Sequence, residues 1–291
     1  MIKWSGIRWS VHPLFLLVML ASIVTGYFLE LITLFAIVIV HELGHVFAAK
    51  SYGWTIREVK LLPFGGVAEV EEAGHVPAAQ EIAVVIAGPL QNGWMGLLAW
   101  TMGHAGLISP EWSAHLVQAN IMIGLFNLLP ILPLDGGRLL QAVLSYQLPY
   151  HLTLLWGARI SLIFSFAMIV YAAFPGIWAG GVQMNVLAIG AFLFASNWTY
   201  HRNVPYLFVR FLMRREQASG DRRKRGVIAQ PIVVAGTKTI QAVLKLLMRE
   251  KYHLIYVMEL QEIVAVLPEE RLIDGYLVQG IPGSAVRELL R

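Results

Sequence analysis

The sequence predicts a polytopic α-helical membrane protein with six transmembrane helices, a β-hairpin at the membrane surface and a small soluble α/β domain at its C-terminal end. Three observations support this fold class. Hydrophobic residues make up 57% of the 291 residues and charged residues only 14%, whereas soluble domains carry about 25% charged residues. Long apolar segments recur along the first two thirds of the chain. From Gly226 onward, basic and acidic residues are frequent and balanced.

Six segments are apolar enough to cross a bilayer, which takes about 20 helical residues. They are residues 13–29, 31–52, 80–103, 113–130, 152–174 and 180–200. The first follows Lys3 and Arg8, a pattern shared by cleaved signal peptides and retained first helices. Because no small-residue cleavage site precedes the second span, we expect a retained helix.

The basic residues predict the orientation of these spans. Lys and Arg occur before the first span and after the second, fourth and sixth, and the other connections contain neither. Because basic loops remain in the cytoplasm, both termini are predicted to be cytoplasmic. The net charge of +4 then reflects the basic residues that orient the spans in the membrane. We therefore expect no direct nucleic-acid partner.

Residues 54–76, between the second and third spans, have the pattern of a β-hairpin. Polar and apolar residues alternate over 56–61 and again over 67–71. The turn between them contains Pro63, Phe64, Gly65 and Gly66. An open strand edge here would accept an extended substrate segment through main-chain hydrogen bonds. We therefore predict that the turn and its strands bind substrate.

The second span contains the motif His41-Glu42-Leu43-Gly44-His45. Residues four apart share one face of a helix, so both imidazoles can bind one metal ion. Glu42 can then act as general base for a metal-activated water. An acidic residue at the centre of a membrane helix costs about 2.5–3.5 kcal/mol, so such residues usually have a function. The chain lacks cysteine, which excludes thiolate ligands and leaves zinc bound by His41 and His45 as the prediction.

A zinc hydrolase centre takes three protein ligands and keeps one open position. The candidate third ligand is Asp135, which lies where two prolines and two glycines interrupt the fourth span. Irregular backbone at this depth is tolerated only when it is buried in protein or lines a water-filled cavity. One carboxylate ligand and Glu42 also bring the charge around Zn²⁺ close to neutral. Asn127 is a candidate donor to a substrate carbonyl or oxyanion, although capping of the broken helix is an equal alternative.

Three segments together resemble the site-2 protease family of intramembrane zinc metalloproteases. These segments are residues 41–45, 87–89 (Ala-Gly-Pro) and 127–137. The resemblance covers nearly all of residues 1–200 and implies one zinc ion per chain, with Glu42 as the catalytic residue. By this resemblance the zinc ligands are His41, His45 and Asp135, and Asn127 and Pro133 lie beside the metal.

A narrower resemblance is to the branch of this family that acts during bacterial sporulation; it rests on residues 61–72, the six spans and the soluble tail. It implies cleavage of a membrane-associated sigma-factor precursor, pro-sigma-K, and inhibition by partner membrane proteins. It also implies a location in the outer forespore membrane, with the tail in the mother cell. The tail resembles one cystathionine-β-synthase-type (CBS) repeat, which implies regulation by ATP and a homo-oligomer that completes the nucleotide site.

We therefore predict an intramembrane metalloprotease domain over residues 1–202, a basic juxtamembrane linker over 203–225 and a CBS-like regulatory domain over 226–291. In the last part, Thr239 is placed to cap an amphipathic helix. Residues 253–258 and 263–267 predict short strands.

Two other functional classes are open at this point. An ion-coupled transporter would use Glu42 and Asp135 for its ions, and it would show internal repeats, which we do not find in the sequence. A nucleotide-sensing membrane anchor would bind its ligand through the tail and would have no use for the H-E-x-x-H motif.

Overall fold

The structure is a computed structural model that describes residues 2–4, 7–11, 26, 28–62, 65–71, 76–174, 182–226 and 228–290. It divides into two compact units, Met1–Pro130 with Leu134–Leu139, and Ile131–Pro133 with Leu140–Arg291. The first unit contains β1 (Ile2–Trp4), β2 (Ile7–Val11), α1 (Phe28–Ser51), β3 (Thr55–Leu62), β4 (Gly65–Glu71), α2 (Ala78–His104), α3 (Pro110–Asn127) and the start of α4 (Asp135–Leu144). The second contains α5 (Tyr150–Ala173), α6 (Met184–Arg225), β5 (Ala229–Ala235), α7 (Ile240–Leu244), β6 (Tyr252–Glu259), β7 (Glu262–Pro268), α8 (Glu269–Leu277) and a 3₁₀ helix (Val286–Leu290).

Three helices in the described part of the chain are long and apolar enough to cross a membrane, namely α1, α2 and α5. They correspond to the predicted spans 31–52, 80–103 and 152–174. The predicted span 13–29 lies almost entirely outside the described residues. The spans 113–130 and 180–200 are largely helical, in α3 and α6, but polar side chains such as Asn120 and Asn197 lower their hydropathy. Six spans therefore remain a prediction.

The first unit contains a four-stranded sheet in the order β1-β2-β3-β4. The predicted hairpin is confirmed: β3 and β4 are antiparallel, with Thr55 opposite Glu71 and Leu62 opposite Gly65. The sequence prediction missed β1 and β2. Because β2 runs parallel to β3 and pairs with it, β3 has no open edge in the described sheet. Within the described sheet, β4 is the strand of the hairpin that keeps a free edge.

Helix α6 differs from the predicted linker, because residues 203–225 continue the helix to Arg225. Its buried side chains recur at helical spacing, which gives this basic segment an apolar face. They are Val204, Phe208, Phe211 and Leu212. These residues join one hydrophobic core with residues of the tail, including Ile240, Ile255 and Leu272. Residues 204–212 of the segment are therefore part of the tail's core.

The tail contains a three-stranded sheet in the order β5-β6-β7. Strands β5 and β6 are parallel, whereas β6 and β7 are antiparallel. The predicted cap is confirmed, since the Thr239 side chain accepts a hydrogen bond from the Ala242 N–H at 3.3 Å. Strands β6 and β7 confirm the two short strands expected from the sequence, and β5 was not predicted.

Candidate metal centre

Helix α1 carries three buried polar side chains on one turn. His41, Glu42 and His45 are 2%, 6% and 9% exposed. Their four-residue spacing brings the two imidazoles together, with the Nε2 atoms 3.2 Å apart and the rings nearly perpendicular at 83°. One carboxylate oxygen of Glu42 and one nitrogen of each imidazole lie within 4.8 Å of one another. The arrangement can therefore present a carboxylate to a water molecule held beside the two rings.

Asp135 brings its carboxylate to the same place from the start of α4. Its Oδ2 lies 3.1 Å from Nε2 of His41 and 3.1 Å from Nε2 of His45. The turn that positions Asp135 depends on Gly136, because a Cβ there would collide with the carbonyl oxygens of Leu128 and Leu129. The helix-breaking sequence between α3 and α4 thus delivers the carboxylate to the histidines.

The three ligand atoms form a triangle with edges of 3.1, 3.1 and 3.2 Å. Tetrahedral ligands at 2.0–2.1 Å from zinc are separated from one another by about 3.3 Å. Two imidazole nitrogens and one carboxylate oxygen are also a common ligand set of catalytic zinc. The residues therefore fit one zinc ion.

Two residues of α2 orient the imidazoles through contacts to their Nδ1 atoms. The Nδ1 atom of His45 lies 2.8 Å from the carbonyl oxygen of Val84. Because a carbonyl only accepts, this Nδ1 carries the proton, and Nε2 presents its lone pair to the metal. The Nδ1 atom of His41 lies 2.5 Å from Oδ1 of Asn92. Asn92 is not among the site residues predicted from the sequence, although a buried amide within an apolar span is a signal of the same kind as Glu42.

Gly88 of α2 lies directly against both rings. A Cβ at this position would overlap the His45 ring and lie 2.8 Å from Nε2 of His41. In the sequence, Gly88 stands out only as part of the Ala-Gly-Pro segment. Its role depends on the close approach of α2 to the metal ligands.

We predict that Gly88→Ala lowers the zinc content of the purified protein at least tenfold, because neither ring can move aside and still bind the metal. Gly93→Ala is the matched control, since the same helix leaves open space around Gly93. Metal analysis of both variants checks the prediction. Equal zinc in Gly88→Ala and Gly93→Ala would show that α2 does not confine the imidazoles.

The remaining predicted site residues have varied positions. The side-chain amide of Asn127 donates to the carbonyl of Ile123 in its own helix at 3.0 Å. Pro133 follows Leu132, whose N–H donates to Ser161 Oγ at 2.9 Å and whose carbonyl accepts from Asn197 at 2.5 Å. Gly65 and Gly66 begin β4, whereas Pro63 and Phe64 lie outside the described residues. The structure thus brings together His41, Glu42, His45 and Asp135, and substrate binding by the others stays a prediction.

Comparisons with known proteins agree with this geometry. The model of peptidase family M50 matches residues 29–108 and 104–170. The chain is 32% identical over 293 residues to stage IV sporulation protein FB of Bacillus subtilis (strain 168), with 99% of this chain and 98% of that protein covered. It is 34% identical over 166 residues to a zinc metalloprotease of Methanocaldococcus jannaschii, covering 56% of this chain and 46% of that protein.

The solved structure of the site-2 protease from Methanocaldococcus jannaschii is similar to this fold. It matches with a TM-score of 0.56 and 29% sequence identity, and it covers 69% of this chain and 94% of that chain. Family, relatives and fold therefore agree. The chain belongs to peptidase family M50, the site-2 proteases, and is a zinc-dependent metalloendopeptidase of the membrane.

Proposed function

We propose that the protein hydrolyses a peptide bond of a membrane-associated protein at a zinc ion held by His41, His45 and Asp135. The observation that carries this proposal is the triangle of ligand atoms with edges of 3.1–3.2 Å. When bound, zinc acidifies a water molecule and polarises the scissile carbonyl. Because the chain belongs to a family of metalloendopeptidases, the two alternative functions, an ion-coupled transporter and a nucleotide-sensing membrane anchor, have no support.

Glu42 moves the proton in this proposal. Its carboxylate takes a proton from the attacking water as the new C–O bond forms, and it returns that proton to the amine nitrogen as the C–N bond breaks. Because Glu42 is 6% exposed, bulk water competes little for this exchange. Asn127 would stabilise the substrate carbonyl by exchanging its bond to Ile123 for one to substrate, and Pro133 would shape the same region.

We propose that substrate reaches the site as an added strand on β4. A peptide bond inside a helix is protected, so the substrate segment has to become extended before hydrolysis. Strand β3 is paired on both sides, by β2 and β4. Strand β4 contacts α1, the helix that carries the histidines. The free edge of β4, together with the turn from Pro63 to Gly66, is therefore the proposed docking strand.

Proline substitutions in β4 test this docking. Successive amides of a strand point to opposite sides, so Ala68→Pro and Glu69→Pro remove one outward N–H and one N–H facing β3. We expect the substitution that removes the outward N–H to abolish cleavage. The zinc content of that variant should stay at the wild-type level. Normal turnover by both variants would exclude β4 as the docking strand.

We propose a sigma-factor precursor of the pro-sigma-K type as the substrate, supported by the near full-length similarity to a sporulation protein. The test is to incubate the purified protein with a membrane-tethered precursor and to sequence the new N-terminus. We expect one cleavage site, loss of cleavage after chelation, and recovery when zinc is added back. Absence of a product, or a product formed equally in chelator, would contradict the proposal.

The expected topology and regulation complete this proposal. We propose six spans, both termini in the cytoplasm, and a location in the outer forespore membrane with the tail in the mother cell. Because the chain has no cysteine, introduced single cysteines can report on which side of the membrane each loop lies, by membrane-impermeant labelling.

We also propose that the tail is a CBS-like domain that binds ATP and mediates homo-oligomer formation, and that partner membrane proteins inhibit cleavage. ATP binding to the full-length protein, measured by equilibrium dialysis, tests the tail.

A further inference from the structure

A chain of buried hydrogen bonds leads away from His41 through two asparagines. Asn92 of α2 accepts at 2.5 Å from His41 Nδ1, and its Nδ2 donates to Oδ1 of Asn120 at 3.3 Å. Asn120 of α3 in turn donates through Nδ2 to the carbonyl oxygen of Leu116 at 2.8 Å. Both asparagines and His41 are 2% exposed. The chain therefore links three helices of the first unit and ends on a backbone carbonyl.

That carbonyl sets the direction of every bond in the chain. The Leu116 oxygen can only accept, so the Asn120 amide must turn its NH₂ toward Leu116 and its oxygen toward Asn92. Asn92 must then turn its NH₂ toward Asn120 and its oxygen toward His41. An oxygen facing Nδ1 keeps the proton there, which leaves the Nε2 lone pair of His41 directed at the metal position.

Glycines on α2 and α3 allow the amides of Asn92 and Asn120 to approach each other. A Cβ on Gly124 of α3 would lie 3.3 Å from Cβ of Asn92, and a Cβ on Gly96 of α2 would lie 3.5 Å from Cβ of Asn120. Each asparagine thus faces a glycine of the opposite helix, and each glycine lies four residues after the asparagine of its own helix. This reciprocal arrangement lets α2 and α3 approach closely enough for the amides to bond.

We propose that Asn92 and Asn120 form an amide relay that fixes His41 as a metal ligand. Asn120, which lies on a helix that supplies no ligand, is then a positioning residue for the zinc. The two imidazoles are supported differently, since His45 depends on the backbone carbonyl of Val84 and His41 depends on side chains. This inference rests on the proposed zinc site and adds α3 to the structure that maintains it.

The test is the zinc affinity of the full-length protein in detergent, measured by competition with a chelator. The variants are Asn92→Leu, Asn120→Leu and the double substitution, which keep a similar side-chain size. Loss of an outer hydrogen-bond partner of a metal ligand typically weakens binding about 10- to 100-fold. We expect a weakening of this size for Asn92→Leu and a smaller one, of about 3- to 10-fold, for Asn120→Leu. The double variant should bind zinc as Asn92→Leu does, because Asn120 acts only through Asn92.

Ser113→Ala is the matched control. Ser113 Oγ also joins α3 to α2, through a 2.9 Å hydrogen bond to the carbonyl of Ala99, but it lies outside the relay. We expect this variant to keep wild-type zinc affinity even if it lowers the unfolding temperature. If a leucine variant does not fold, as judged by circular dichroism, Asn92→Ala and Asn120→Ala repeat the comparison without steric conflict.

Two results would overturn the relay while leaving the zinc site standing. One is a zinc affinity of Asn120→Leu equal to that of Ser113→Ala, with one zinc bound by the wild type. The other is a double variant whose loss of affinity is the product of the two single losses, which would mean that Asn120 acts independently of Asn92. A wild-type protein that binds no zinc would instead overturn the proposed metal centre, and the relay with it.

Discussion

Glu42→Gln is expected to slow peptide cleavage by about 10²- to 10⁴-fold, the usual contribution of a positioned general base, while the protein keeps one zinc ion. Glutamine has nearly the same shape and fills the same buried position, but its amide cannot take a proton from the attacking water. The zinc should persist because the proposed ligands are His41, His45 and Asp135. The measurements are the rate of product formation and the zinc content of one preparation.

Glu30→Gln is the matched control for this experiment. Glu30 lies in the first turn of the same helix, so the same chemical change is made about three turns from the site. We expect this variant to cleave at the wild-type rate. If Glu42→Gln retained more than a tenth of the wild-type rate, the proton would have to travel through another group, and Glu42 would lose its assigned role.

The second large effect is expected in the tail, where a buried ion pair joins α6 to the sheet. Arg215 of α6 is 1% exposed. It donates to both carboxylate oxygens of Glu269, at 2.7 and 2.8 Å, and to the carbonyls of Met248, Arg249 and Lys251. The N–H of His253 also donates to Glu269, at 2.9 Å. Helix α6 is therefore anchored to β6 and α8 by one fully paired guanidinium.

Glu269→Gln is predicted to destabilise the tail by about 3–5 kcal/mol, because it leaves the buried charge of Arg215 without a counter-charge. Hydrogen exchange of the full-length protein should show this as amide exchange about 10²- to 10⁴-fold faster in β6 and α8, since each 1.4 kcal/mol is a factor of about ten. Glu262→Gln is the control at an exposed position, where the same change should stay within about 0.5 kcal/mol. Unchanged protection in Glu269→Gln would show that the ion pair does not hold α6 to the sheet.

The same ion pair predicts a pH dependence of tail stability. Burial alone raises the pKa of Glu269, but hydrogen bonds from His253 and Arg215 outweigh it and hold that pKa below its ordinary value of 4.5. A carboxyl group whose pKa is depressed on folding stabilises the fold above its unfolded pKa. That stabilisation is lost as the pH falls below about 4.5 toward the folded pKa. In Glu269→Gln this part of the acid transition should disappear.

The sequence was most informative where a residue type is costly in its surroundings. His41, Glu42, His45 and Asp135 were identifiable because ionisable side chains and a broken helix are rare inside apolar spans. Asn92 and Gly88 act through contacts between helices that are distant in sequence. Their roles therefore required tertiary structure, although the position of Asn92 in an apolar span was a usable signal.

Errors in the fold prediction also have physical reasons. The short strand at Ile7–Val11 pairs with residues some fifty positions away, and such pairing leaves little local signal apart from the alternation of its residues. The many arginines of segment 203–225 predict a linker. Those charges obscured the helical spacing of Val204, Phe208 and Phe211, which are buried in the tail's core.

X-ray absorption at the zinc edge of the purified wild-type protein tests the metal centre most directly. Our structure predicts one zinc per chain, coordinated by two imidazole nitrogens and by carboxylate oxygen, with the oxygen contribution altered in Asp135→Asn. A protein without zinc, or a zinc whose spectrum shows no imidazole and does not respond to Asp135→Asn, would contradict the assignment of His41, His45 and Asp135 as ligands.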